Sequence, residues 1–217
     1  MSLATHLHYA PGVVSDARQV DQDLLPYGPR TALLVVDVQN DFADPSGALY
    51  VPGAEGVVDH ANAQIATARA ACAKVVYSQD WHPPVTPHFA AHGGTWPDHC
   101  VRRTWGAAFH PDLVVAGEVV QKGTGGEDGY SAFAVRHPST GDEQATRLVT
   151  VLRSAGVTGV VIVGLATDYC VLDSALDALR HGFHTAVLTE GTRAVDVQPG
   201  DGDRALERMA VAGAHIR

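Results

Sequence analysis

The sequence predicts an α/β fold, a doubly wound and mainly parallel sheet of six strands with helices on both faces. Apolar runs without polar alternation recur along the chain, as expected of strands that are covered on both sides. Segments with apolar residues at helical spacing separate these runs. Strands that alternate with helices indicate right-handed βαβ units and hence a parallel sheet.

The predicted elements follow one another along most of the chain. Strands are predicted at residues 31–36, 74–78, 118–122, 157–164, 184–188 and 215–217. Helices are predicted at residues 55–72, 144–155, 168–181 and 203–212. Residues 1–30 have little periodicity and several Pro and Gly residues. We therefore expect an N-terminal arm over 1–30, with a short helix at 15–24, ahead of one domain over 31–217.

Composition narrows the possible functions. The formal net charge is −9 with His neutral, which argues against nucleic acid or an anionic membrane surface as a partner. No apolar stretch approaches the ~20 residues of a membrane span, and no signal peptide is visible. The three cysteines are an odd number and suggest no disulfide framework. We expect a cytoplasmic enzyme, and the sequence leaves homo-oligomerisation open.

Side chains that bind metals are concentrated between residues 80 and 99. Asp80 and His82 are two residues apart, so their side chains leave an extended chain on the same side. Pro83 favours that extended conformation at His82, and a loop that folds back would bring His88 and His99 to the same place. Carboxylate and neutral imidazole bind Zn²⁺, Mn²⁺ and Fe²⁺. Ordinary loop histidines are the alternative, because the chain carries 12 of them.

Other reactive side chains follow the predicted strands. Asp37 follows the first strand, Lys122 ends the third, and Cys170 comes just after the fourth. Functional groups at the carboxyl ends of parallel strands meet at one edge of the sheet. A carboxylate, an amine and a thiol together can carry out acyl transfer. Taken singly, each has a simpler explanation, namely a solvated carboxylate, a surface amine and a small buried apolar side chain.

Cys170 lies in a strand-to-helix turn, with Thr167 in a position to cap the helix. The first turn of a helix favours thiolate over thiol because it carries the positive end of the helix dipole. Unpaired backbone N–H groups in such a turn can also bind a developing oxyanion. We therefore expect Cys170 to have a lowered pKa and a nearby oxyanion hole.

These motifs resemble the isochorismatase-like cysteine hydrolases, and most closely their nicotinamidase or pyrazinamidase branch. The resemblance extends from about residue 31 to the C-terminus and rests on five stretches: VDVQNDF at 36–42, QDWHP at 79–83, WPDHC at 96–100, KG at 122–123 and GLATDYCV at 164–171. It implies the isochorismatase-like hydrolase fold.

The resemblance also implies roles for the reactive side chains. Cys170 would be the nucleophile that forms a thioester, and Asp37 would move the proton. Lys122 would hold Asp37 and stabilise negative charge. The backbone N–H groups of Ala166 and Cys170 would form the oxyanion hole, with a cis peptide bond between Leu165 and Ala166.

The resemblance also implies a site for one divalent metal ion. Zn²⁺ is the first choice, and Fe²⁺ and Mn²⁺ are the alternatives. The matching ligands are Asp80, His82 and His99. His88 matches a fourth ligand that only part of the family has, and His92, four residues further on, competes with it for that position.

Phe42, Trp96 and Tyr130 match residues that surround the substrate ring. The implied reaction is hydrolysis of nicotinamide to nicotinate and ammonia in pyridine nucleotide salvage, with pyrazinamide also accepted. One alternative is a related cysteine amidohydrolase that acts on another carboxamide or on a carbamoyl group, although such relatives lack the metal cluster. A second is a non-catalytic binding or oligomerisation module of the same fold. Isochorismatases proper usually lack the cysteine.

Overall fold

The structure, a computed structural model, describes residues 27–217. The helix predicted at 15–24 and most of the predicted arm lie outside the described residues. The strands are β1 Thr31–Val36, β2 Lys74–Asp80, β3 Glu118–Lys122, β4 Ala134–Arg136, β5 Glu143–Ala145, β6 Gly159–Leu165, β7 His184–Arg193 and β8 His215–Ile216. The helices are α1 Asn40–Ala43, α2 Ala54–Ala70, α3 Leu148–Ser154, α4 Leu172–Arg180 and α5 Asp201–Val211.

Six strands form the main sheet in the order β3-β2-β1-β6-β7-β8, and every adjacent pair is parallel. Helix α2 packs on one face, where its apolar residues join Leu33 and Val35. Helices α3, α4 and α5 pack on the other face, against Ala32 and Leu34. Successive side chains of β1 enter opposite faces of the sheet, and both faces are covered by helices. This explains the uninterrupted apolar sequence of the strand. The predicted fold class is confirmed.

Several regions differ from the sequence prediction, among them the short helix α1, which was not predicted. Strands β4 and β5 form a separate antiparallel pair, and Thr146 continues it by donating its N–H to the Phe133 carbonyl at 2.8 Å. Helix α3 consequently begins at Leu148 and not at residue 144. Strand β7 continues to Arg193, five residues beyond its predicted end, after a register irregularity between Ile162 and Gly164 of its neighbour β6.

The sheet order places the reactive side chains at one edge. The chain fills β1, β2 and β3 in one direction and then crosses to β6 on the opposite side of β1. Ligands of open α/β sheets bind at such a reversal, outside the carboxyl ends of the strands. Within residues 27–217, no helix combines the length and the apolar character needed to cross a bilayer.

Candidate active site

Asp37, Lys122 and Cys170 meet beyond the carboxyl ends of β1, β3 and β6. The Lys122 Nζ lies 3.0 Å from the Asp37 Oδ2 and donates a hydrogen bond of 3.6 Å to the Cys170 Sγ. The Ser78 hydroxyl donates to the other oxygen of Asp37, Oδ1, at 2.7 Å. All three residues are buried. The structure thus brings together the three groups that the sequence placed at separate strand ends.

Burial and charge set the protonation of this group. Burial alone would lower the pKa of Lys122, but the neighbouring carboxylates of Asp37 and Asp80 raise it well above its ordinary value. Burial raises the pKa of Asp37, and Lys122 opposes that rise. Lys122 is therefore a fixed cation between two carboxylates.

Cys170 does not have the lowered pKa that the sequence predicted. It lies in a π-helical turn, Thr167–Val171, and the N-cap is Ala166, without a side-chain capping bond. Burial raises the pKa of the Cys170 thiol well above its ordinary value, and Lys122 offsets only part of that effect. The thiol therefore needs a base. Asp37 Oδ2 is suited to that role because, apart from its proximity to Lys122, this buried oxygen accepts no hydrogen bond.

The expected backbone geometry accompanies the cysteine, since the peptide bond between Leu165 and Ala166 is cis. Ala166 and Cys170 both line one cavity at this edge of the sheet.

Asp80 connects these groups to the candidate metal ligands. Its Oδ1 accepts a hydrogen bond of 2.6 Å from Lys122 Nζ, whereas its Oδ2 lies 3.7 Å from His82 Nε2 and 4.0 Å from His99 Nε2. Burial would raise the pKa of Asp80, but Lys122 and the histidines hold it well below its ordinary value. Asp80 is therefore ionised, with one oxygen facing Lys122 and the other facing the imidazoles.

The histidine cluster fits a divalent metal ion. Ring nitrogens of His82, His88 and His99 lie within 4.8 Å of one another, and all three residues are buried. Both ring nitrogens of His82 lack a hydrogen-bond partner, which is costly for buried polar atoms unless another ligand satisfies them. Burial lowers the pKa of His99 to about 4, so its imidazole is neutral, as metal binding requires.

The separations between Asp80 and two of the histidines, His82 and His99, agree with a shared ion. Two atoms that each lie about 2.1 Å from one metal ion are at most about 4.2 Å apart, and the separations from Asp80 Oδ2 fall within that limit. His99 Nδ1 lies 2.8 Å from the Pro97 carbonyl and His88 Nδ1 lies 2.7 Å from Asp128 Oδ1, which leaves Nε2 of each ring for the ion. His92 is exposed, so His88 is the histidine that joins the cluster.

Gly123 leaves the space that the His82 ring occupies. A Cβ at Gly123 would lie 2.7 Å from His82 Nδ1 and Cε1. The Gly123→Ala substitution should therefore displace His82 and lower metal content per chain after dialysis by at least about tenfold. Gly126→Ala is the matched control, because Gly126 also has a positive φ but its Cβ would meet no atom within 3.6 Å. Equal metal content in the two variants would contradict this account.

The three predicted ring-binding residues line one cavity. It has a volume of about 240 Å³, and Phe42, Trp96 and Tyr130 line it together with Cys170. Trp96 Nε1 donates a hydrogen bond of 3.0 Å to the Tyr130 hydroxyl. Tyr169 was not predicted from the sequence, yet its ring centroid lies 5.1 Å from those of both Trp96 and Tyr130. The sequence feature that could have indicated its role is its position directly before Cys170.

Two further polar residues of the first motif position the site, and their role was not predicted from the sequence. The Gln39 side chain bonds to both the N–H and the carbonyl of Asp80, each at 2.8 Å. Asp41 Oδ2 accepts a hydrogen bond of 2.7 Å from the backbone N–H of Cys100, directly after His99. These bonds explain why polar side chains are buried after β1, and they tie both segments that carry candidate metal ligands to the centre of the sheet.

Comparisons with known proteins agree with this arrangement. The Escherichia coli nicotinamidase is 40% identical over 206 residues, covering 87% of this chain and 94% of the relative. The pyrazinamidase of Pyrococcus horikoshii in complex with zinc superposes with a TM-score of 0.78 at 39% identity, covering 87% of this chain and 99% of the other.

PnC1 from L. infantum in complex with nicotinate gives a TM-score of 0.80 at 34% identity, covering 89% of this chain and 95% of the other. The model of the isochorismatase domain matches residues 31–217. The chain is a member of the isochorismatase family.

Proposed function

We propose that this protein hydrolyses nicotinamide to nicotinate and ammonia through a thioester on Cys170. The observation that carries the proposal is one cavity lined by both the thiol and the metal-ligand side chains Asp80, His88 and His99. A thiol with a base and a cation supports acyl transfer from a carboxamide. The aromatic wall and the metal ligands support a flat heterocycle with a ligating nitrogen. The nicotinamidase and the nicotinate complex among the relatives give the same substrate class.

Acylation begins with the proton of the buried thiol. Asp37 Oδ2 takes that proton while the Cys170 sulfur forms a bond to the carboxamide carbon. The carbonyl oxygen becomes an oxyanion, which the backbone N–H groups of Ala166 and Cys170 would stabilise. Asp37 then passes the proton to the amide nitrogen, the C–N bond breaks, ammonia leaves and a thioester remains.

Deacylation uses the same base. Asp37, again ionised, takes a proton from a water molecule whose oxygen attacks the thioester carbon. The C–S bond breaks, the proton returns from Asp37 to the sulfur, and the carboxylic acid that forms releases its proton to solvent to give nicotinate. Lys122 stays protonated throughout, because both of its carboxylate neighbours favour its charge. It thereby keeps Asp37 in place and stabilises negative charge near the sulfur.

Asp80, His82, His88 and His99 would hold one divalent ion. When bound, that ion supplies a Lewis-acid position for the pyridine nitrogen of the substrate. Three imidazoles and one carboxylate suit Zn²⁺ and also Fe²⁺ or Mn²⁺. We propose Zn²⁺, in line with the zinc complex of the Pyrococcus relative. Asp80 and the three histidines would thereby help to orient the ring toward Cys170, and orientation can supply roughly 7–11 kcal/mol of a barrier.

A comparison of substrates tests this proposal. Benzamide has the ring and the carboxamide of nicotinamide but lacks the ring nitrogen. We expect kcat/KM for benzamide to be at least about 100-fold lower, since ligation and placement of the ring are lost. Pyrazinamide should be accepted because it keeps a nitrogen at the same ring position. Similar values for benzamide and nicotinamide would rule out recognition through the nitrogen, and rapid turnover of aliphatic carboxamides alone would favour the related amidohydrolases.

Removal of the metal is a second test. We expect protein stripped with a chelator to lose most of its kcat/KM for nicotinamide, because the ring is no longer oriented, while the reactivity of Cys170 toward a small alkylating reagent remains. Adding back one equivalent of Zn²⁺, Fe²⁺ or Mn²⁺ should restore turnover and identify the preferred ion. Full activity of protein shown to be metal-free would contradict the proposed orientation role.

A further inference from the structure

The loop between β3 and β4 contacts the candidate metal site through Asp128. Asp128 Oδ1 lies 2.7 Å from His88 Nδ1, and the exposed fraction of the side chain is 56% for Asp128 and 6% for His88. The backbone of Asp128 is itself held, because it exchanges two hydrogen bonds with Arg136 of β4. A half-exposed carboxylate is thus fixed against a buried imidazole.

This contact determines how His88 presents its ring. Asp128 is a carboxylate and can only accept, so the proton lies on His88 Nδ1 and the Nε2 lone pair is free. A carboxylate behind a histidine raises the basicity of the ring and fixes its orientation toward a metal. The rings of His82 and His99 have no such carboxylate behind them. His99 donates to a backbone carbonyl, and both ring nitrogens of His82 are without a partner.

The same loop supplies part of the substrate wall. Tyr130 comes two residues after Asp128, and its hydroxyl accepts the hydrogen bond from Trp96. Trp96 in turn precedes the ligand His99 by three residues. Two hydrogen bonds and two short chain segments therefore link the candidate ligand His88, through the loop and the aromatic wall, to the candidate ligand His99.

We propose that Asp128 is a positioning residue that couples metal binding at His88 to the placement of the aromatic wall at Tyr130. The proposal rests on the metal site of the proposed function, but it does not depend on which amide is the substrate. Binding of the metal fixes His88, His88 holds Asp128, and Asp128 keeps Tyr130 against the cavity. Loss of the carboxylate should weaken both metal binding and substrate binding and leave the reacting groups intact.

The first experiment measures metal affinity without substrate. Zn²⁺ affinity is determined by competition with a chromogenic chelator for the wild-type protein, Asp128→Ala and Asp128→Asn. We expect a 10- to 100-fold loss for Asp128→Ala. A smaller loss is expected for Asp128→Asn, because the amide oxygen still accepts from His88 but carries no charge. The absorption spectrum of the Co²⁺-loaded protein should change in parallel, since it reports the geometry of the ligands.

Glu127→Ala is the matched control. Glu127 is the adjacent carboxylate, and its side chain bonds to the N–H of Gly125 within the same loop. The variant removes the same charge, so a long-range electrostatic effect would appear equally in it. We expect its Zn²⁺ affinity and Co²⁺ spectrum to match those of the wild type.

Kinetics give the second readout. On metal-saturated Asp128→Ala, KM for nicotinamide should rise at least about tenfold with kcat within about threefold of wild type, because Asp128 does not contact Cys170, Asp37 or Lys122. Asp128→Ala with the metal affinity and KM of Glu127→Ala would overturn the coupling and leave the proposed function standing. A wild-type protein that binds no Zn²⁺, Fe²⁺ or Mn²⁺ would instead overturn the proposed metal site and this inference with it.

Discussion

The Cys170→Ala variant is expected to lose nicotinamide hydrolysis by about 10⁴-fold or more while it still binds the substrate. Cys170 is the only cysteine among the described residues that line the cavity, and alanine leaves the candidate metal ligands and the aromatic wall in place. Turnover is measured as ammonia release, and binding is measured by calorimetry with nicotinamide.

Cys72→Ala is the control for this experiment. Cys72 is exposed, follows α2 and is not among the residues that line the cavity, so turnover should remain at the wild-type level. Unchanged turnover in Cys170→Ala would exclude the thioester mechanism. Loss of both turnover and binding would assign Cys170 a structural role. A non-catalytic binding module of the same fold would be indifferent to the substitution.

The Lys122→Met variant is expected to be strongly destabilised as well as inactive. Lys122 is 2% exposed, and its ammonium lies 2.6 Å from Asp80 Oδ1 and 3.0 Å from Asp37 Oδ2. Methionine would leave two buried carboxylates without their cation, a loss that costs about 3–5 kcal/mol in comparable buried pairs. The pKa of Asp37 should rise further, so that it no longer accepts the thiol proton at neutral pH.

Urea unfolding of metal-free protein measures this effect, with Lys74→Met as the matched control. Lys74 begins the neighbouring strand β2, and its ammonium lies 3.5 Å from Glu118 with 31% of the side chain exposed. An ion pair that is this accessible contributes about 0–1 kcal/mol. A free energy of unfolding for Lys122→Met within about 1 kcal/mol of the control would mean that the carboxylates do not depend on Lys122.

The central sheet was predictable because its strands are buried on both sides. The run Thr31–Val36 is fully buried, so its uninterrupted apolar sequence carries the signal directly. The hairpin of β4 and β5 was not predictable in this way. All three residues of β5 are exposed, and the pairing depends on backbone hydrogen bonds that leave no apolar alternation in the sequence. The helix that follows was therefore predicted to begin too early, at residue 144 and not at Leu148.

The candidate site was predictable wherever a reactive side chain lies directly after a predicted strand. Asp37, Lys122 and Cys170 could be brought together from topology alone, because parallel strands share one functional edge. The direction of the Cys170 pKa shift could not be predicted, since burial beside Asp37 raises this pKa more than Lys122 lowers it. The support from Asp128 was also hidden, because a half-exposed acidic residue in a glycine-rich loop has the same sequence signature as an ordinary solvated one.

The most direct test is ammonia and nicotinate release from nicotinamide by the purified protein, with the metal content determined on the same sample. The proposed mechanism predicts equal amounts of the two products, turnover at millimolar nicotinamide, and about one divalent ion per chain. A folded, metal-loaded sample that releases neither product would contradict the central claim.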